Sequence, residues 1–153
     1  KVRRGRSAAL NMVITETGAG KAVGQVLPEL QGKLTANAVR VPTPNVSLAI
    51  INLRFAKDIT LEELNDFLRQ KAFHSDLKEQ IGFTNSPEVV STDFVGDRHA
   101  GIIDSAATIV NGNKCVLYVW YDNEFGYTAQ LLGLAKEMVG LTYQRYPNFS
   151  EST

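Results

Sequence analysis

Residues 109–121 read IVNGNKCVLYVWY, and their pattern decides the fold class. Two runs rich in β-branched and aromatic residues, Ile102–Val110 and Cys115–Tyr121, flank Asn111-Gly112, a strong short-range hairpin signal. The segment Leu34–Lys57 reads as strand, turn, strand. In its turn, Val41-Pro42-Thr43-Pro44-Asn45, two prolines remove backbone donors and exclude helix. In the strand that follows, VSLAIINLRF, the apolar phase runs Val46, Leu48, Ile50 and then shifts to Ile51, Leu53, Phe55. That shift predicts either a bulge or a strand covered on both faces. Val89–Thr92 is expected as a further short strand, and NMVIT, ahead of Glu16, is a short apolar run.

Three helices are expected around these strands. Thr17 is placed to cap the first, which runs to about Leu27 before Pro28 and Gly32 end it. Asp58 and Thr60 open the second, with Leu61, Leu64, Phe67 and Leu68 on one side. The third spans about Glu124 to Val139, with Tyr127, Leu131, Leu134, Ala135 and Met138 in one stripe. Hairpins rather than regular βαβ units make this an α+β chain, a mostly antiparallel or mixed sheet with helices packed on one face. No repeat, low-complexity tract or linker interrupts it, so a single domain is expected over residues 1–153.

Composition narrows the function. With Lys+Arg 16 against Asp+Glu 16 the formal net charge is zero, against a dedicated nucleic-acid binder. No apolar run approaches the roughly 18–20 residues of a membrane span. One cysteine excludes a disulfide framework and a multi-thiolate zinc site, and fits a reducing compartment such as the cytoplasm. The neutrality hides a basic opening, KVRRGRSAAL, which holds Lys1, Arg3, Arg4 and Arg6 and no acid. The chain starts at Lys1, without Met or a secretory pattern, and reads as a fragment.

Candidate site residues are few. Gly18-Ala19-Gly20-Lys21-Ala22-Val23-Gly24 fails as a dinucleotide fingerprint, because no further βαβ units follow and the next acid is Glu29. It fails as a P-loop because Ala22 stands where a Mg²⁺-binding hydroxyl is needed. Two readings remain: Thr17 and Gly18 present a hydroxyl and amides to an anion, or Thr17 caps the helix while Gly20 and Gly24 let it pack on the sheet. Arg3, Arg4 and Arg6 are either solvated surface or phosphate forks beside that point. Arg40, at a strand end beside a stiff turn, is either a snorkelled edge residue or an aimed anion ligand. Cys115, inside KCVLYVWY, reads as a buried structural thiol. His74 lies in a polar stretch and His99 in a loop near Asp97 and Arg98; two histidines and one cysteine without clustering leave no metal site and no complete catalytic set.

Three stretches, TGAGKAVG (17–24), RVPTPNVS (40–47) and WYDNEFGY (120–127), resemble signatures of the phosphorylating glyceraldehyde-3-phosphate dehydrogenase family, in that family's order. GKL (32–34) and STDF (91–94) fit as well, and the resemblance reaches to about Gly140. It implies a catalytic C-terminal domain that begins within the family's S-shaped loop, without the N-terminal dinucleotide-binding domain. The nucleophilic cysteine and the base histidine of the family would then precede Lys1, so no catalytic residue is expected here. The resemblance assigns Thr17, Gly18, Arg40 and Arg4 to substrate or attacking phosphate, Arg40 bridging two anion sites. It assigns Asn123 to the nicotinamide carboxamide and Tyr127 to the neighbourhood of that ring. NAD or NADP is the implied cofactor, and a phosphorylated aldehyde and inorganic phosphate are the implied reactants. A cytoplasmic homotetramer serving glycolysis is the implied setting. Erythrose 4-phosphate is an alternative aldehyde, and a non-catalytic assembly module is an alternative role. Departures include Ile14, Gly20, Ala100-Gly101 and above all Glu16, whose charge weakens phosphate binding if it faces the anion site. The tail from Leu141 to Thr153 runs past the usual family C-terminus.

Overall fold

A computed structural model describes residues 10–141 of the chain. In order, the elements are β1 (Val13–Thr15), α1 (Ala19–Val26), β2 (Ala38–Arg40), β3 (Ser47–Arg54), α2 (Leu61–His74), β4 (Ile81–Thr84), β5 (Gly101–Asp104), β6 (Ile109–Asn111), β7 (Lys114–Tyr121) and α3 (Asn123–Met138). Short 3-10 turns occupy Pro28–Leu30 and Ser91–Phe94. The chain divides into two compact units between Pro44 and Asn45, and each has its own sheet.

The first unit holds an antiparallel pair, with Val13 opposite Arg40 and Thr15 opposite Ala38. Gly20 and Gly24 of α1 do give close packing, but against the segment Gln31–Ala36 rather than a sheet.

In the second unit β7 is the central strand. On one side it pairs with β3 along its whole length, from Ser47 opposite Tyr121 to Arg54 opposite Lys114. That ladder contains no bulge, so the phase shift in β3 marks apolar residues on both faces. Ile51 and Leu53 share a face with Leu117 and Cys115, while Leu48 and Ile50 share the other with Trp120 and Tyr118. On the opposite edge of β7 lie β5 and then β6, both antiparallel to it. The single strand expected over Ile102–Val110 is thus broken. Between the end of β5 at Asp104 and the pair Ile109–Val116, residues 105–108 loop out. Asp104 fixes the break, its carboxylate accepting from Ala107 N–H (3.1 Å) and Trp120 Nε1–H (3.1 Å), its carbonyl from Thr108 Oγ1 (2.9 Å).

The hairpin turn also sits one residue later than the Asn-Gly pair suggests. Asn111 pairs with Lys114, which leaves Gly112 and Asn113 as the loop. Gly112 takes φ 58°, the left-handed first position that a II′ hairpin requires. β4, absent from the sequence reading, adds a parallel strand beside β5. Val89–Thr92 does not form a strand. Its second half enters the 3-10 turn, stabilised by Asp93 Oδ2 accepting from Val90 N–H at 2.8 Å.

The sheet is mixed and the class is α+β, as expected. α2 starts at a capping box: Thr60 Oγ1 accepts from Glu63 N–H, and the Glu63 carboxylate accepts from Thr60 N–H. Its Leu64 is buried with Cys115 and Leu117, flanked by Phe55, Ile59, Leu68, Val110 and Val119. On the other face Val46, Phe94 and Ile102 form a second core, with Phe94 stacked on Trp120 at 5.5 Å. The expected stripe of α3 is not core in this chain: Tyr127, Leu131, Leu134 and Met138 are 70%, 52%, 55% and 79% exposed.

Candidate functional site

The candidates fall into both units. In the first unit, α1 begins at Gly18, not at Thr17; Ala22 N–H donates to Gly18 C=O in the opening helical bond. Thr17 Oγ1 accepts from Ala19 N–H at 3.2 Å. A hydroxyl that accepts there keeps its own proton to donate outward, and the amides before Ala22 lie outside the helical ladder. Thr17 lines an open cleft of about 550 Å³ with Ile14, Thr15, Glu16, Ala36 and Asn37. Glu16 is exposed and lines the same cleft as Thr17. The Thr15 hydroxyl, also on that cleft, is buried with no hydrogen-bond partner.

Arg40 is exposed at the end of β2. The ladder sets it opposite Val13, four residues back along the chain from Thr17. β1 ends at Thr15, so the ladder pairs Arg40 with the far end of β1 from Thr17, and an anion touched by both would have to sit between them. Arg4 lies outside the described residues.

In the second unit Asn123 is the first residue of α3, and Tyr127 follows one turn later on the same side. Both are exposed. The helix start beneath them is rigidly built. Asp122 is only 2% exposed, yet its carboxylate accepts four hydrogen bonds. Oδ1 takes Glu124 N–H (3.1 Å) and Phe125 N–H (2.9 Å), and Oδ2 takes Asn45 Nδ2 (2.9 Å) and Gly96 N–H (3.0 Å). These donors, led by the Gly96 amide, hold the carboxyl below its ordinary value of 3.8. Asn45 uses its other end as well, Oδ1 accepting from Val46 N–H at 2.7 Å. Val46 itself sits at φ 70°, a left-handed conformation that costs a β-branched residue about 1–3 kcal/mol. Burial of its side chain against Phe94 and Ile102 holds it there.

Sequence reading missed Asp122 altogether. An Asp directly before a helix is a cap signal, but its ties to Asn45 and Gly96 need the fold. His99 is fixed by a local pair, Nδ1 lying 2.7 Å from Asp97 Oδ1. Cys115 is buried, and burial pushes its thiol above the ordinary 9.0, the reverse of an activated nucleophile. Among the described residues no group of three or more His, Cys, Asp or Glu is placed to hold a metal ion. Among them, too, no helix is long and apolar enough to cross a membrane.

Comparison with known proteins decides the family. The profile described as "Glyceraldehyde 3-phosphate dehydrogenase, C-terminal domain" matches residues 1–123. The chain belongs to that family. It is 61% identical over 145 residues to a glyceraldehyde-3-phosphate dehydrogenase-like protein of Pseudomonas aeruginosa (strain UCBPP-PA14), covering 95% of this chain and 32% of that protein. Glyceraldehyde-3-phosphate dehydrogenase 2 of Mucor circinelloides f. lusitanicus is 50% identical over 86% of this chain and 39% of its own length. The glyceraldehyde-3-phosphate dehydrogenase of Borreliella burgdorferi is 45% identical over 90% of this chain and 42% of its own length. The chain thus spans between a third and two fifths, approximately, of the curated relatives it matches. The resemblance drawn from TGAGKAVG, RVPTPNVS and WYDNEFGY is borne out at the level of the family and of the α+β fold.

Proposed function

We propose that this chain is the substrate- and phosphate-binding part of a longer enzyme. That enzyme oxidises glyceraldehyde 3-phosphate to an acyl phosphate through a cysteine thioester formed outside this chain. One observation carries the reading. Thr17, Gly18, Arg40 and Asn123 all stand at or beside the end of an element, while the sole thiol is buried. Gly18 caps α1 with Thr17 just before it, Arg40 ends β2, and Asn123 opens α3. Hydroxyl, open amides, a helix N-terminus and guanidinium suit a dianionic phosphate.

The nicotinamide cofactor, NAD or NADP, supplies the hydride acceptor when bound. The exposed Asn123 side chain makes no hydrogen bond to the described residues, so both its donors and its acceptor are available to a carboxamide. Tyr127, one turn along, offers a ring face beside it. On this reading Asn123 fixes which face of the nicotinamide meets the aldehyde, and Arg4, Thr17, Gly18 and Arg40 fix the phosphates. Residues 1–153 are then one domain of a cytoplasmic, tetrameric glycolytic enzyme; a single family profile matches residues 1–123, on both sides of Pro44. The names of the relatives favour the three-carbon aldehyde over erythrose 4-phosphate. Comparison of kcat/KM for the two aldehydes with the intact enzyme tests this, and higher efficiency on the four-carbon sugar reverses it.

A further inference from the structure

We propose that Asp122 is a positioning residue for the nicotinamide end of the site, setting where α3 begins and hence where Asn123 presents its amide. The inference rests on the reading of Asn123 given above and deepens it. Asn123 is the first helical residue, so no helical ladder bond restrains its own amide; its placement depends on what holds the turn around it. That holding is done by one carboxylate. Oδ1 satisfies the two amides that follow Asn123, and Oδ2 ties the same turn to Asn45 and to the Gly96 amide. A neutral cap satisfies the first pair alone. Two oxygens that both accept are needed to join the helix start to the Asn45 turn and the Gly96 loop. Near-complete burial excludes water from taking over either role. Rigid support of this kind is what a contact needs when it must hold a ligand ring in one orientation.

The test uses the intact enzyme carrying this chain. Asp122→Asn keeps one acceptor oxygen but turns an NH₂ toward Asn45 and Gly96. It is compared with Asn123→Ala and with Thr60→Ala, which removes a cap from α2 instead. The readouts are KM for the dinucleotide, KM for the aldehyde, melting temperature, and the face to which deuterium from labelled aldehyde is delivered on the nicotinamide ring. Asp122→Asn is expected to raise dinucleotide KM about five- to tenfold, to leave aldehyde KM within about twofold, and to lower facial selectivity as Asn123→Ala does. Thr60→Ala is expected to lower the melting temperature without changing selectivity. If Asn123→Ala alters selectivity and Asp122→Asn does not, the positioning role is wrong and the Asn123 reading stands. If Asn123→Ala alters nothing, that reading falls and the inference with it. Equal effects on both KM values, shared by Thr60→Ala, mean a purely structural cap and overturn the proposal. Should Asp122→Asn fail to accumulate, Asn45→Ala removes one of the four donors and must shift dinucleotide KM in the same direction; no shift refutes the role.

Discussion

Two glycines of α3 make a matched pair for a stability prediction. Replacing glycine by alanine inside a helix gains up to about 1 kcal/mol from backbone entropy alone. At Gly133 a Cβ meets nothing within 4 Å, so that gain is the whole effect. At Gly126 a Cβ would lie 2.6 Å from the His99 carbonyl oxygen, where ordinary contact begins at 3.4 Å. The obstacle is backbone, and it is held in place. Ala100 N–H donates to Gln80 C=O at 2.8 Å, and His99 N–H to Asp97 Oδ1 at 2.8 Å. One turn along α3, Gln130 Nε2 donates to Arg98 C=O and Glu79 C=O, both at 2.9 Å, so helix and loop are stapled together. Overpacking of this kind costs about 1–3 kcal/mol. Set against the propensity gain, Gly126→Ala should lose up to about 2 kcal/mol while Gly133→Ala gains up to about 1. At this chain length each kcal/mol moves Tm by roughly 2–4 °C. Urea unfolding of the purified chain, followed by far-UV circular dichroism, reads both. Equal signs for the two substitutions, or a stabilised Gly126→Ala, refute the packing argument.

Four further outcomes are expected. Arg40→Leu in the intact enzyme should raise KM for the phosphorylated aldehyde or for phosphate about tenfold or more, the loss of a charge-assisted hydrogen bond worth roughly 1.5–3 kcal/mol; unchanged kinetics make Arg40 structural. Thr60→Ala should cost about 1 kcal/mol by removing the α2 capping box, read by urea unfolding. Stability should fall in acid. The Glu63 carboxyl is held below 4.5 by Thr60, and Asp122 is held below 3.8 by its four donors. Their stabilisation is complete above those unfolded values and lost as pH drops through the lower folded ones, so unfolding midpoints should decline below about pH 4.5 and not above it. Finally, the purified chain should produce no NADH from glyceraldehyde 3-phosphate and NAD, because Cys115 is buried with a raised thiol pKa; any NADH above blank contradicts this.

The parts of the fold legible in the sequence are those set by local chemistry. The Thr60 capping box, the prolines at 42 and 44, the glycine-bearing hairpin and α3 lie within a residue or two of where periodicity and turn residues place them. What escaped was decided at long range. β4 has only four residues and no alternation, and it exists because β5 offers it a parallel edge. Residues 102–110 look like one strand because their side chains suit one, yet Asp104 collects donors from Trp120 and Ala107 and breaks it. The stripe of α3 was correctly found, but an apolar stripe states only that something apolar can cover it. Among the candidate site residues, Thr17, Arg40 and Asn123 announce themselves through motif and position. Asp122 does not, since the three segments it joins, at Asn45, Gly96 and the start of α3, are far apart in sequence.

The most direct test of the account is phosphate dependence. Glyceraldehyde 3-phosphate oxidation by the intact enzyme should be followed as NAD(P)H formation, with and without inorganic phosphate, in the wild type and in Thr17→Val. Sustained turnover that requires phosphate, with its KM raised by Thr17→Val, is the predicted result. Turnover indifferent to phosphate and to Thr17, or no turnover at all, contradicts it.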